Sequence, residues 1–287
     1  MNTIRDLTEF YLFLAFVFIF KCLPYKLTLK LLKGLFYIFG FLLGIRKKVV
    51  IRQLKLCFPE KTEKEIIDLT KNIYLELATT VAEVFIFDEK YFQGKVELID
   101  FDEVKKALLL GRGVIIVSAH FSNWELGAKL VAKEYSEFYG VVKKMRNKIF
   151  DAYLCKKRND VGIKTIEMKD ALKTIISVLK KNNIVAILVD QYAKKQGTAV
   201  NFLGHKTKTY TSVAQIAIKY KVPIIMTFDI RDNDGKHKVI FNKPLLCDDI
   251  IYNDENILDL TSQINSRIEE KIKEYPHLWF WVHRKWR

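Results

Sequence analysis

The spacing of apolar and polar residues divides this chain into stretches of different character. The N-terminal stretch is strongly apolar. FYLFLAFVFIF (10–20) is uncharged but, at 11 residues, shorter than the roughly 18–20 that a membrane-spanning helix needs. The amphipathic segment KLTLKLLK (26–33) and a second apolar run, GLFYIFGFLLGI (34–45), follow it. Residues 60–87 open on Thr62-x-x-Glu65, a capping-box pattern, and then place Ile66, Ile73, Leu77, Val81 and Val84 at helical spacing. This predicts one long amphipathic helix with a core-facing stripe. In the centre, VIIVS (114–118), IVAILVD (184–190) and VPIIMTFDI (222–230) read as buried strands. Helical patterns over 124–135, 169–181 and 210–220 separate them, and HKVIFNKP (237–244) adds a strand after the turn DNDG (232–235). Strands alternating with helices predict an α/β fold, a mostly parallel central sheet flanked by helices. Ligands of such sheets gather at the carboxyl ends of the strands, where His120 and Asp190 both fall.

No linker, repeat or low-complexity tract interrupts the chain, which reads as N-terminal membrane-anchoring helices (1–45) followed by one domain (46–287). FKCLP follows the first run, so there is no small-residue cleavage site. Lys21, Lys26, Lys30, Lys33, Arg46, Lys47 and Lys48 flank the apolar runs on their C-terminal side. If the first run spans, positive-inside bias leaves the rest in the cytoplasm; if it does not, the segments suit an interfacial anchor on an anionic leaflet. A buried helical hairpin of a soluble protein is the competing reading. Charge adds to the picture: 48 Lys and Arg against 33 Asp and Glu leave a net +15, which calls for an anionic partner without naming it. Cys22, Cys57, Cys155 and Cys247 form no CxxC pair, hence neither a zinc signature nor a disulfide framework, and read as thiols of a reducing compartment.

The stretch VSAHFSNWELGA (117–128) carries the candidate chemistry. On one reading, Ser122-x-x-Glu125 is a capping box at a helix start and nothing more. On the other, Glu125 faces His120 across the strand-to-helix corner and fixes its tautomer. The second ring nitrogen is then free to take a proton from a substrate hydroxyl.

Here the residues resemble the lipid A late acyltransferases, within the lysophospholipid-acyltransferase superfamily, through the H-x4-D/E motif. GIRKKVVIRQLKLCFPEKTEKEI (44–66) is similar to the basic segment and N-L-x-x-C/A-F-P element of that family. AHFSNWELGA resembles AHFGNWE, with Ser122 in place of the usual glycine. VVKKMRNKIFD (141–151) resembles Y-R-x-x-x-N-P, with Lys143 where arginine is common and Lys148 where proline is. LVDQYAKKQGTAVNFLGHKTKT (188–209) resembles the D-Q/H block followed by V-P-F-F-G, with Asn201 replacing the proline. HLWFWVHRKWR (277–287) is similar to the Q-W-x-W-x-H-R-R-W/F terminus.

The resemblance implies transfer of a fatty acyl group from an acyl carrier protein thioester to a hydroxyl of an anionic, Kdo-bearing lipid A precursor. It places the enzyme on the cytoplasmic face of a bacterial inner membrane, in contact with membrane lipids, and implies no cofactor and no metal. His120 would be the general base and Glu125 its orienting partner. Lys143, Arg146 and Arg158 are candidate oxyanion donors; Asn123, Asn147, Asp190 and Gln191 are candidate substrate contacts. Each also has a plain reading, as a solvated charge or a loop hydrogen-bonder. Trp279, Phe280, Trp281 and Trp286 fit core packing, interfacial anchoring or base stacking. His283 and Arg284 match the family's H-R pair without a derived role, and His205, His237 and His277 read as structural or exposed. Two rival enzymes share the core motif. A glycerol-phosphate or lysophosphatidate acyltransferase lacks support because its E-G-T-R block is absent; a mannoside acyltransferase fits much of the pattern. A basic membrane-associated nucleic-acid binder would explain the charge, but no nucleic-acid motif is present and HFSNWE would be left unexplained.

Overall fold

The computed structural model describes residues 4–169, 171–194 and 197–287. Asp170, in the expected helix 169–181, and Lys195 and Gln196, in the block 188–209, lie outside the described residues. The main sheet uses β1 (Val96–Ile99), β2 (Val114–Ser118), β3 (Phe138–Val142), β4 (Ile163–Glu167) and β5 (Ile184–Leu188). A small antiparallel hairpin, β6 (Thr198–Phe202) with β7 (His205–Thr209), stands apart, and β8 (Ile224–Arg231) and β9 (His237–Phe241) complete the sheet. Its order is β1-β9-β8-β2-β5-β3-β4, with every neighbouring pair parallel except β8 and β9.

Period-two alternation divides the sheet's side chains between two cores. Ile115 and Val117 of β2 join Met226 and Phe228 of β8 in one core, with α3 (Lys47–Cys57), α4 (Glu63–Val81), α9 (Ala171–Lys180), α10 (Ser212–Tyr220) and α11 (Asp254–Glu274). Val114 and Ile116 face the other way, towards α6 (Asp102–Leu108) and α7 (Trp124–Glu134). The expected α/β layering with a mostly parallel sheet is therefore present. β8 is buried along its whole length, which is why it reads as a continuous apolar run. β1, β3, β4 and the hairpin were not legible: VELI, FYGVV, IKTIE, TAVNF and HKTKT mix polar and apolar residues without a buried run.

The expected helix over 60–87 is α4, opened by the Thr62–Glu65 capping box. It does not run straight to 87. The chain passes into a π-helical segment, Ala82–Ile86, and leaves it in extended geometry at Phe87. The short α5 (Glu89–Phe92) follows.

Before this body, α1 (Ile4–Lys21) packs on α8 (Lys148–Asp160) and on the π-helical segment, and α2 (Tyr25–Leu35) packs on α4. A third core of Val17, Phe20, Leu32, Ala78, Ala82 and Ile86 joins them. Gly40 in a second π-helical segment (Phe36–Leu42) lies against Tyr74, where a Cβ would sit 2.2 Å from the ring. The opposite faces stay bare: Leu12, Phe18, Ile19, Phe39, Leu42 and Leu43 are exposed. Among the described residues no single helix is long and apolar enough to cross a membrane. One pair, Tyr25–Leu42 with Lys47–Cys57 at 78°, reaches the required length and composition only when taken together.

Candidate active site

Strand register assembles the site. Ser118 of β2 pairs with Leu188 of β5, and two residues beyond each stand His120 and Asp190. His120 Nδ1 lies 2.8 Å from Asp190 Oδ1. Asp190 Oδ2 accepts hydrogen bonds from the His120 backbone N–H at 3.0 Å and from Trp279 Nε1 at 2.8 Å. Asp190 is buried; burial opposes its charge, yet His120 and Trp279 outweigh that and hold its carboxyl below the ordinary range. For His120, burial pulls the pKa down, but the Asp190 carboxylate more than offsets this and the net shift is upward. The ring remains reachable, with 19% of its side chain exposed, beside a cleft lined by Thr80, Trp124, His277 and Phe280. Nε2 lies 3.2 Å from the Gln191 side-chain nitrogen. An anchored Nδ1–H and an accepting Nε2 are what a proton acceptor requires.

Glu125, expected to hold His120, does something else. Both its oxygens take Arg158 of α8, Nη2 to Oε1 at 2.6 Å and Nε to Oε2 at 3.1 Å. It still contributes to raising the His120 pKa through its charge, and Arg158 opposes it. The expected Ser122–Glu125 capping box is not formed either. Ser122 adopts left-handed backbone geometry at φ 47°, which moves the cap to Asn123, whose side chain accepts from Leu126 N–H at 3.1 Å. The Ser122 hydroxyl donates to Asp229 at 3.2 Å instead. Strain and bond act in opposite directions here. Ser122→Gly relieves a left-handed residue while losing one hydrogen bond, and is expected to stay within about 1 kcal/mol of the parent. Ser122→Ala keeps the strain and loses the bond, at a cost of about 1–2 kcal/mol. Urea unfolding in detergent should therefore rank Ala below Gly.

The remaining expected site residues are spread more widely. Asn123 is buried, and its amide donates to Glu83 at 3.1 Å. Asn147 caps α8 through Ile149 and Phe150 N–H and donates to the Asp6 carbonyl of α1. Arg146 is taken by Glu9, at 2.8 and 2.9 Å, and by Asp6. It thus ties the segment ahead of α8 to α1. Lys143 is exposed at the end of β3 and makes no ion pair with any described residue. The C-terminal aromatics are core: Trp279, Trp281 and Trp286 are buried around Phe202, and Phe280 N–H donates to the His120 carbonyl at 3.0 Å. Among the described residues no group of three or more His, Cys, Asp or Glu could hold a metal ion.

Behind the corner lies a buried ionic cluster that sequence reading missed. Arg231 reaches Glu83 at 2.6 Å and Glu76 at 2.6 Å. His237, expected to be structural or exposed, is fully enclosed with Asp229 at 2.9 Å and Glu83 at 3.3 Å. The available signal was the pair Asp229 and Arg231, two apart in an apolar strand and so on one face. His205 donates towards the Leu56 carbonyl, a structural contact, and His277 lines the cleft.

The whole chain can be set beside known proteins. It is 25% identical over 271 residues to a lipid A biosynthesis lauroyltransferase of Escherichia coli, covering 92% of this chain and 87% of that one. A lipid A biosynthesis palmitoleoyltransferase of the same organism is 23% identical, with 84% and 79% covered. A phosphatidylinositol mannoside acyltransferase of Mycolicibacterium smegmatis is 18% identical, with 67% and 62% covered. The family model for bacterial lipid A biosynthesis acyltransferases matches residues 2–287, essentially end to end, and the chain belongs to that family of acyl-transferring enzymes.

Proposed function

We propose that this protein transfers a fatty acyl chain from an acyl carrier protein thioester to a hydroxyl of a Kdo-bearing lipid A precursor. The observation that carries the chemistry is His120, anchored through Nδ1 on a buried carboxylate, with the ring lining a cleft and Nε2 beside Gln191. The acceptor hydroxyl takes the place of Gln191 beside Nε2 and gives up its proton as its oxygen attacks the thioester carbonyl. The C–S bond then breaks, and the leaving thiolate takes the proton back from the imidazolium. Asp190 holds the tautomer and stabilises the charged ring. Lys143, unpaired among described residues at the strand ends, is the candidate donor to the tetrahedral oxyanion, because Arg146 and Arg158 are engaged.

Three features support the substrates. The family implies a lipid acceptor. The net charge of +15 suits acidic carriers and phosphorylated glycolipids. The bare apolar faces of residues 4–45, beside Lys26, Lys30 and Lys48, suit an interfacial anchor on the cytoplasmic leaflet of a bacterial inner membrane.

The test uses purified protein in detergent, labelled carrier thioesters of several lengths and the Kdo-bearing precursor, beside His120→Ala. Transfer should occur and fall by about 10²-fold or more in the variant. Transfer to a mannosylated phospholipid alone would keep the chemistry and overturn the acceptor. Equal transfer in His120→Ala would remove His120 from the reaction.

A further inference from the structure

His237 at the start of β9 has a carboxylate on each ring nitrogen: Nδ1 lies 2.9 Å from both Asp229 oxygens and Nε2 lies 3.3 Å from Glu83 Oε1. A neutral imidazole has one N–H, so one of these contacts would set lone pair against lone pair. Only the imidazolium donates to both. Charge balance agrees. Buried Glu83 and Asp229 carry two negative charges, and Arg231 supplies one buried positive charge while also serving half-exposed Glu76.

The same two carboxylates hold the HFSNWE corner. Asp229 Oδ2 accepts from Asn123 N–H at 3.0 Å and from the Ser122 hydroxyl, and Glu83 Oε2 accepts from the Asn123 amide. Thr80, itself held by Arg231, donates to the Ser122 carbonyl. Two residues earlier in the chain is His120. We infer that His237, as a buried imidazolium, is a positioning residue for His120, fixing Asp229 and Glu83 so that the Ser122–Asn123 corner holds the His120 ring in place beside the cleft. The inference rests on the proposed role of His120 as base.

Asp229 and Arg231 face the ring of His237 from β8, Glu83 from the π-helical segment and Phe92 from α5; Lys95 ahead of β1 accepts its backbone N–H through the carbonyl. Tyr91 of α5 interacts electrostatically with Glu83 and Arg231. Burial works against the ring's charge, but the two carboxylates prevail and raise its pKa to about 9. The support is complete below the ordinary histidine range and is lost as pH rises through about 9.

Two readouts test this, one independent of substrate. In protein carrying isotope-labelled histidine, NMR should show both His237 ring nitrogens protonated at neutral pH, and His237→Gln should shift the His120 ring signals. Kinetically, His237→Gln should lower kcat by about 10²-fold with KM for donor and acceptor unchanged. The double variant Asp229→Asn/His237→Gln pairs amide with amide, removes the unbalanced charge and should recover most of kcat. It should also lose the alkaline decline expected of the parent near pH 9. A neutral His237 ring, or His120 signals unmoved by His237→Gln, overturns the inference. So does a folded double variant that remains as slow as the single one. A parent with the expected histidine signals but no transfer overturns the proposed reaction and leaves the ring's placement standing.

Discussion

Asp190→Asn is expected to lower turnover by about 10³-fold, and to do more harm than Glu125→Gln. The reason lies in which oxygen does what. Asp190 Oδ2 accepts two donors, the His120 backbone N–H and Trp279 Nε1, so an asparagine must place its only oxygen there. Its amide NH2 then occupies the position of Oδ1 and faces His120 Nδ1. Nδ1 is forced to accept, the ring proton moves to Nε2, and the base has lost its lone pair where the acceptor hydroxyl must sit. Glu125→Gln keeps an amide oxygen for Arg158 and leaves the His120–Asp190 contact intact. Steady-state rates of both variants, at saturating carrier thioester, check the order. Near-normal turnover in Asp190→Asn with loss in Glu125→Gln would return the orienting role to Glu125. In the parent, the acid limb of kcat/KM, which reports the free enzyme, should lie above the ordinary histidine value, because the net shift of His120 is upward.

Arg231→Met should be the most destabilising single change in the cluster behind the site, by about 3–5 kcal/mol. The guanidinium is buried, and its partners are a fully buried glutamate and a half-exposed one. Removing it leaves Glu83 and Asp229 with His237 alone to neutralise them, in a region that water does not reach. Losing Thr80 Oγ1 as a partner also frees the group that holds the Ser122 carbonyl. Equilibrium unfolding in urea, followed by circular dichroism in detergent, measures the loss. A cost under about 1 kcal/mol would mean that the cluster is hydrated or rearranges freely.

Two kinds of information met in this protein. The apolar-rich runs VIIVS, IVAIL and IIMTFDI announced β2, β5 and β8 because the central strands of a sheet covered on both faces are apolar along most of their length. Thr62 and Glu65 announced the start of α4 because a capping box is a contact within one turn. His120 was legible for a similar reason: a polar residue just past a buried strand has few places to go but the sheet's carboxyl edge. Contacts between distant segments were not legible. Glu125 is five residues from His120 and Asp190 is 70, and nearness in sequence pointed to Glu125 while the ring's hydrogen bond goes to Asp190. Ser122 in left-handed geometry turns the chain so that α7 begins one residue late, and Glu125 meets α8 while strand pairing carries Asp190 to the ring. The Asp229, Arg231, Glu83 and His237 cluster depended in the same way on β8, β9 and a π-helical turn arriving together. Sequence periodicity by itself determined the buried strands β2, β5 and β8, the start of α4 and the strand end that bears His120, because those follow from local geometry and burial. Which carboxylate serves His120, and which cations neutralise the corner behind it, only the tertiary structure decided, because a buried charge is stabilised by whatever partner the register of the sheet brings within hydrogen-bond reach.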